Sequence, residues 1–169
     1  MNARVLRLAE GTEQSVARVT LAARSVSHSV NSAGARVAKR KAILVVDDDP
    51  GVLRAVERLL RALGFEPDTY ESIEDFRARA DLSNAICLVL DIHLNHVSGI
   101  ELARQLKASG SLLPIIFITA DDSAPIRKMA RDVGCIAYLA KPFTAKSLTR
   151  AIDKVLIQPT PPNGRGPFI

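Results

Sequence analysis

Short apolar runs alternate five times with segments of helical periodicity from residue 42 onward. The runs occupy residues 43–46, 66–71, 86–90, 115–118 and 136–140, and the second is the least apolar. Continuous apolar runs of this length are typical of strands buried on both faces, because helices cover each side of a parallel sheet. The alternation therefore restricts the fold to the α/β class.

Residues that begin and end helices lie between these runs. Asp49 and Pro50 form an N-cap and first-turn pair for the first helix, and Gly64 follows its last turn. Ser72 precedes the second helix, and Gly134 ends the fourth. Five strands and five helices joined by right-handed crossovers predict a flavodoxin-like, doubly wound parallel sheet with strand order 2-1-3-4-5.

Charge and composition divide the chain into three parts. The 169 residues have a formal net charge of +5, and residues 1–41 alone contribute +6 from eight Lys or Arg and two Glu, which leaves −1 for the rest. Residues 158–169 include four prolines and two glycines. We predict a basic, disordered extension at 1–41, one folded domain at 42–157 and a disordered tail at 158–169.

The basic extension has three interpretations. It is a disordered tether, a contact for anionic membrane or nucleic acid, or a stretch upstream of the true translation start. Eight basic residues without interleaved aromatic residues are a weak signal for nucleic-acid binding. The basic character therefore belongs to the extension and does not define the folded domain.

Composition also excludes whole classes of protein. No apolar run approaches the roughly 18 residues of a membrane-spanning helix, and the N-terminus lacks the apolar core of a secretory signal. These absences predict a cytoplasmic protein without a transmembrane segment. Cys87 and Cys135 lie in or beside apolar runs, so we expect small buried hydrophobic residues and no disulfide.

Polar side chains directly follow four of the five predicted strands. Asp47 and Asp48 follow the first run, Asp91 the third, Thr119 the fourth and Lys141 the fifth. Because parallel strands have their carboxyl ends at one edge of the sheet, where ligands bind in this fold, we expect these side chains to converge. A single strand-end acid is often a solvated loop residue, but five complementary groups at one edge indicate a site.

The types of these residues indicate a metal ion and a phosphoryl group. Asp47, Asp48 and Asp91 suit Mg2+, which binds carboxylates together with water and phosphate oxygens. One of the carboxylates can act as a nucleophile toward phosphorus and form an aspartyl phosphate. Lys141 would bind one phosphoryl oxygen as a point charge, and Thr119 would hydrogen-bond another.

Four segments carry a resemblance to a known family. LVVDDDP, LVLDIHLNHVSGIEL, PIIFITA and YLAKPF occur in this order, and over roughly residues 42–157 the chain resembles the receiver domain of bacterial two-component response regulators. The resemblance implies that Asp91 is the phospho-acceptor. It also implies that Asp47 and Asp48 hold Mg2+ and that the main-chain carbonyl of His93 is a further ligand.

The same resemblance implies a switch and a set of partners. Thr119 and Lys141 would contact the phosphoryl group, Pro142 would follow a cis peptide bond, and Thr119 with Tyr138 would form the switch pair. A sensor histidine kinase or a histidine phosphotransferase would be the donor. Only twelve residues follow residue 157, so we expect a single-domain regulator without a DNA-binding output domain. The surface around Tyr138 would serve output or a homodimer.

One segment, DIHLNHVSG, departs from the family pattern. Members commonly carry proline four residues after the acceptor, where this chain has Asn95. His93 and His96 lie in the same segment, and without a third such ligand we interpret both as solvated loop residues. We also hypothesise that His93 changes the lifetime of an acyl phosphate at Asp91 by controlling the access of water.

Two other functions compete with the receiver interpretation. A metal-dependent phosphohydrolase also forms an aspartyl phosphate, but such enzymes usually carry a second acid two residues beyond the nucleophile, where this chain has His93. An interaction module that is never phosphorylated is the other alternative. The receiver interpretation predicts self-catalysed phosphorylation and dephosphorylation only, and no turnover of a small-molecule substrate.

Overall fold

The computed structural model describes residues 42–95 and 97–157. Five parallel strands form one sheet in the order β2-β1-β3-β4-β5. The strands are β1 (Ala42–Val46), β2 (Glu66–Tyr70), β3 (Ala85–Asp91), β4 (Ile115–Thr119) and β5 (Ala137–Ala140). The predicted fold class and strand order are confirmed, including the weakly apolar strand β2.

Five helices connect or follow the strands. They are α1 (Pro50–Ala62), α2 (Ile73–Arg79), α3 (Gly99–Ala108), α4 (Ala124–Val133) and α5 (Ala145–Ile157). The predicted caps are present: the Asp49 side chain accepts hydrogen bonds from the backbone N–H groups of Gly51 and Val52, and Ser72 accepts one from that of Asp75. Gly134 closes α4 in the left-handed conformation, with φ of 77°.

Alternate side chains of the strands build two cores, one on each face of the sheet. In β1, Leu44 and Val46 pack into the core that α2, α3 and α4 cover, whereas Ile43 and Val45 pack into the core under α1 and α5. All four side chains are buried. Burial on both faces explains why the strands read as continuous apolar runs and not as alternating patterns.

Two smaller elements were not predicted. A 3-10 helix covers Leu82–Asn84, and a short antiparallel ladder pairs His93–Leu94 with Val97–Ser98. The ladder lies between β3 and α3, directly after Asp91. It therefore shapes the loop that follows the predicted phospho-acceptor.

Both cysteines are free thiols in the described part of the chain. Cys87 is fully buried in β3, and burial raises the pKa of its thiol to about 12. Cys135 is half-buried, and its pKa is raised for the same reason. Both residues thus behave as the small hydrophobic side chains that the sequence predicts.

The predictions for residues 1–41 and 158–169, and the interpretation of His96, concern residues outside the described part. Within residues 42–95 and 97–157, none of the helices combines the length and the apolar composition that crossing a lipid bilayer requires.

Candidate functional site

The five predicted polar residues meet at the carboxyl edge of the sheet. Asp47 directly follows β1, and its backbone N–H donates to the carbonyl of Tyr70 over 3.1 Å. Asp91 and Thr119 are the last residues of the neighbouring strands β3 and β4. Lys141 follows β5, and its backbone N–H donates to the carbonyl of Thr119 over 2.7 Å. Each of these residues therefore ends or directly follows a strand, which places its backbone at this edge of the sheet.

The three aspartates form an acidic cluster. Asp47, Asp48 and Asp91 each offer a carboxylate oxygen, and these oxygens lie within 4.8 Å of one another. Asp47 is fully buried, Asp91 is 4% exposed and Asp48 is half-buried. Three carboxylates this close need a cation between them or near them, because their mutual repulsion is poorly screened away from water.

Lys141 supplies part of the positive charge. Its Nζ atom donates a hydrogen bond to Asp91 Oδ2 over 2.6 Å and also lies 2.6 Å from Asp47 Oδ2. The second contact is a close ion pair, and apart from this ammonium group the buried Asp47 Oδ2 has no hydrogen-bond partner among the described residues. One ammonium group thus bridges the ends of β1 and β3 and is the partner of carboxylate oxygens from both strands.

The ionisation of these groups follows from burial and pairing. Burial raises the pKa of the Asp47 carboxyl, and the contact with Lys141 and the N–H of Asp49 offset this only in part. For Lys141, burial lowers the pKa, but the nearby carboxylates of Asp47 and Asp91 outweigh it, so the net pKa is raised. Lys141 therefore stays an ammonium ion at neutral pH.

The donor set fits a hard divalent cation. All the ligand atoms of the cluster are carboxylate oxygens, which Mg2+ prefers. When all three carboxylates are ionised they carry three negative charges, and Lys141 balances only one of them. Asp47 Oδ2 is buried and pairs with Lys141 alone among the described residues, so its second lone pair is available to a cation. Whether His93 adds its main-chain carbonyl stays a prediction.

Backbone groups of the following loop hold Asp91 in place. The backbone N–H of His93 donates to Asp91 Oδ1 over 3.2 Å. The backbone N–H of Gly99 donates to the carbonyl of Ile92 over 2.9 Å, so the loop returns to the end of β3. A Cβ atom at Gly99 would lie 2.0 Å from the carbonyl oxygen of Asp91, which makes glycine necessary there.

Thr119 and Tyr138 share one acceptor. The hydroxyl of Thr119 donates to the carbonyl of Asp121 over 3.4 Å, and the hydroxyl of Tyr138 donates to the same carbonyl over 2.9 Å. Thr119 Oγ1 also lies 3.3 Å from Nδ1 of His93. The predicted switch residues are therefore connected through the backbone of Asp121, and His93 contacts one of them.

A cis peptide bond and one backbone contact also belong to this edge of the sheet. The peptide bond between Lys141 and Pro142 is cis. A contact that sequence reasoning missed joins the backbone N–H of Asn95 to Asp48 Oδ2 over 3.0 Å. The sequence feature that points to this contact is Asn95 itself, at a position where members of the family commonly carry proline.

Comparison with known proteins gives a consistent result. A family model described as the response regulator receiver domain matches residues 43–153. The chain is 34% identical over 114 residues to the response regulator protein TodT of Pseudomonas putida, covering 68% of this chain and 50% of TodT. It is 38% identical over 127 residues to the response regulator MprA of Mycolicibacterium vanbaalenii, covering 73% of this chain and 54% of MprA.

A solved structure agrees with these matches. The response regulator DrrB, a Thermotoga maritima OmpR/PhoB homolog, superimposes with a TM-score of 0.63 at 27% identity, covering 69% of this chain and 52% of DrrB. The chain spans about half the length of the curated relatives TodT and MprA. From the family match and these identities, the chain belongs to the response regulator receiver domain family of two-component systems.

Proposed function

We propose that Asp91 accepts a phosphoryl group from the phosphohistidine of a sensor histidine kinase or a histidine phosphotransferase. Asp47, Asp48, Asp91 and the main-chain carbonyl of His93 would hold Mg2+. The observation that carries the proposal is the position of Lys141 Nζ, 2.6 Å from carboxylate oxygens of both Asp91 and Asp47 within the acidic cluster.

In the proposed reaction a carboxylate oxygen of Asp91 forms a bond to phosphorus. The bond between phosphorus and the donor imidazole nitrogen breaks, and that nitrogen keeps the electron pair. Mg2+, when bound, supplies positive charge that neutralises the phosphoryl oxygens. Lys141 exchanges its hydrogen bond with Asp91 Oδ2 for one with a phosphoryl oxygen, and its raised pKa keeps it protonated throughout.

Thr119 and Tyr138 would report the change to a partner protein. In this structure both hydroxyls donate to the carbonyl of Asp121. When the hydroxyl of Thr119 turns toward a phosphoryl oxygen, it leaves that carbonyl, and the Tyr138 ring would turn inward once its own hydroxyl also releases the carbonyl. The surface around Tyr138 would then serve output or a homodimer.

The competing phosphohydrolase function has less support. The position two residues beyond Asp91, where such enzymes usually carry an acid, is His93, and its ring contacts Thr119. We also propose that residues 42–157 form the receiver unit and that it works in the cytoplasm through contacts with other proteins. TodT and MprA are about twice as long as the stretch they share with this chain.

Intact-protein mass spectrometry tests the proposed function. The full chain is incubated with a small phosphodonor such as acetyl phosphate, with and without Mg2+. We expect one phosphoryl adduct that disappears with a chelator and in Asp91→Asn, and no steady release of phosphate from generic phosphate esters. An unmodified wild-type protein would favour the interaction module, and steady turnover would favour the phosphohydrolase.

A further inference from the structure

Asn95 occupies an unusual backbone position beside the acidic cluster. It follows Leu94, which pairs with Val97 in the short antiparallel ladder, and its φ is 51°. Positive φ is rare for residues other than glycine, and asparagine tolerates it better than most. Asn95 therefore allows the chain to turn tightly directly after the strand residue Leu94.

This turn directs a backbone donor at Asp48. The N–H of Asn95 donates to Asp48 Oδ2 over 3.0 Å, between residues that are 47 positions apart in sequence. Proline could not make the contact, since it has no N–H and its ring fixes φ near −65°. Where members of the family commonly carry proline, which has no N–H, this chain therefore has a backbone donor that binds the side chain of Asp48.

The loop after β3 consequently fixes two acids from two strands. The N–H of His93 donates to Asp91 Oδ1 over 3.2 Å, and the N–H of Asn95 donates to Asp48 Oδ2. Asp48 is half-buried and follows β1, so without this contact its side chain would be free to rotate toward solvent. The ladder between His93–Leu94 and Val97–Ser98 sets the spacing of the two donors.

We propose that the backbone N–H of Asn95 is a positioning group for the divalent cation site. It restrains Asp48 through Oδ2 in advance, so that the other carboxylate oxygen stays available to the cation without a loss of side-chain freedom on binding. Preorganisation of this kind strengthens binding because the ordering cost is met during folding. The inference rests on the proposed function, which places Mg2+ at this cluster.

Two variants of the same residue separate the donor from the side chain. Asn95→Gly keeps the N–H and tolerates positive φ, whereas Asn95→Pro removes the N–H and cannot adopt that φ. Mg2+ affinity is measured on the 15N-labelled full chain by following backbone amide shifts during titration with magnesium chloride. We expect Asn95→Gly to bind within about twofold of wild type and Asn95→Pro roughly three- to tenfold more weakly.

A second measurement keeps the inference testable if Asn95→Pro distorts the loop. In the wild-type protein without Mg2+, the amide proton of Asn95 should exchange with solvent more slowly than a loop amide proton that makes no hydrogen bond. The slow exchange should be lost in Asp48→Ala, while the amides of the strand β4 stay protected in both proteins. Fast exchange of the Asn95 amide in the wild type would overturn the inference.

The two proposals fail in different ways. If wild type and Asn95→Pro bind Mg2+ equally, the positioning role is wrong and the phosphoryl-transfer function is untouched. If the wild-type protein shows no shift changes with Mg2+ at Asp48 or Asp91, both the cation site and the positioning role are overturned.

Discussion

Asp47 carries a fully buried carboxylate whose charge is only partly compensated. Burial raises its pKa above the usual value of 3.8. Between that value and the raised pKa the folded state binds more protons than the unfolded state, so stability falls as pH rises through this window and stays lower above it. Its charge therefore destabilises the fold at neutral pH when no cation is bound.

Asp47→Asn should consequently stabilise the protein at pH 7 in buffer without divalent ions. We expect a gain of about 1 kcal/mol in the free energy of unfolding, which shrinks as the pH approaches 3.8. Urea denaturation at several pH values measures it. Asp48→Asn is the matched control, because Asp48 is only half-buried and should change stability less. A loss of stability in Asp47→Asn at pH 7 would contradict this account of the site.

The imidazole ring of His93 lies close to the predicted phospho-acceptor site. Its Nδ1 atom lies 3.3 Å from Thr119 Oγ1, so the imidazole lies beside the switch hydroxyl at the end of β4. If the ring limits the access of water to the acyl phosphate, His93→Ala should shorten the dephosphorylation half-life by roughly two- to tenfold. His93→Gln, which keeps bulk and a hydrogen-bonding group, should stay closer to wild type. Equal half-lives for all three proteins would dispose of the hypothesis.

Among the elements, α3 begins at a residue that permits no side chain. A Cβ atom at Gly99 would lie 2.0 Å from the carbonyl oxygen and 3.0 Å from the carbonyl carbon of Asp91. Gly99→Ala must therefore displace either α3 or the end of β3. We expect the free energy of unfolding, measured by thermal or urea denaturation, to fall by about 2–4 kcal/mol and phosphorylation to be slower.

Ser98→Ala serves as the control for Gly99→Ala. Ser98 is the N-cap of α3 but makes no side-chain capping hydrogen bond, so its replacement should be nearly neutral. If Gly99→Ala were as stable as Ser98→Ala, the close approach to Asp91 would not be a real constraint on the fold.

The regular elements could be predicted from the sequence, but the short ones could not. Strands β1, β3 and β4 are continuous apolar runs because helices cover both faces, and the caps at Asp49, Ser72 and Gly134 indicate helix ends. The ladder at residues 93–98 has strands of two residues each, too short for any periodicity to show. The contact from Asn95 to Asp48 depends on a backbone dihedral angle that composition does not reveal.

In the whole molecule, topology explains why the site residues could be predicted. In a parallel sheet, side chains that follow strands β1, β3, β4 and β5 must lie at one edge, so Asp47, Asp91, Thr119 and Lys141 meet although up to 94 positions separate them. Their distances, however, depend on side-chain geometry that a sequence does not contain. The bridge from Lys141 to both Asp47 and Asp91 is the clearest example.

Mapping the phosphorylated residue shows directly whether Asp91 is the phospho-acceptor. Borohydride reduces an aspartyl phosphate to homoserine, and peptide mass spectrometry then identifies the position. After treatment of the full chain with acetyl phosphate and Mg2+, we expect homoserine at residue 91 and at no other aspartate. Homoserine at residue 47 or 48, or at none, would contradict this expectation.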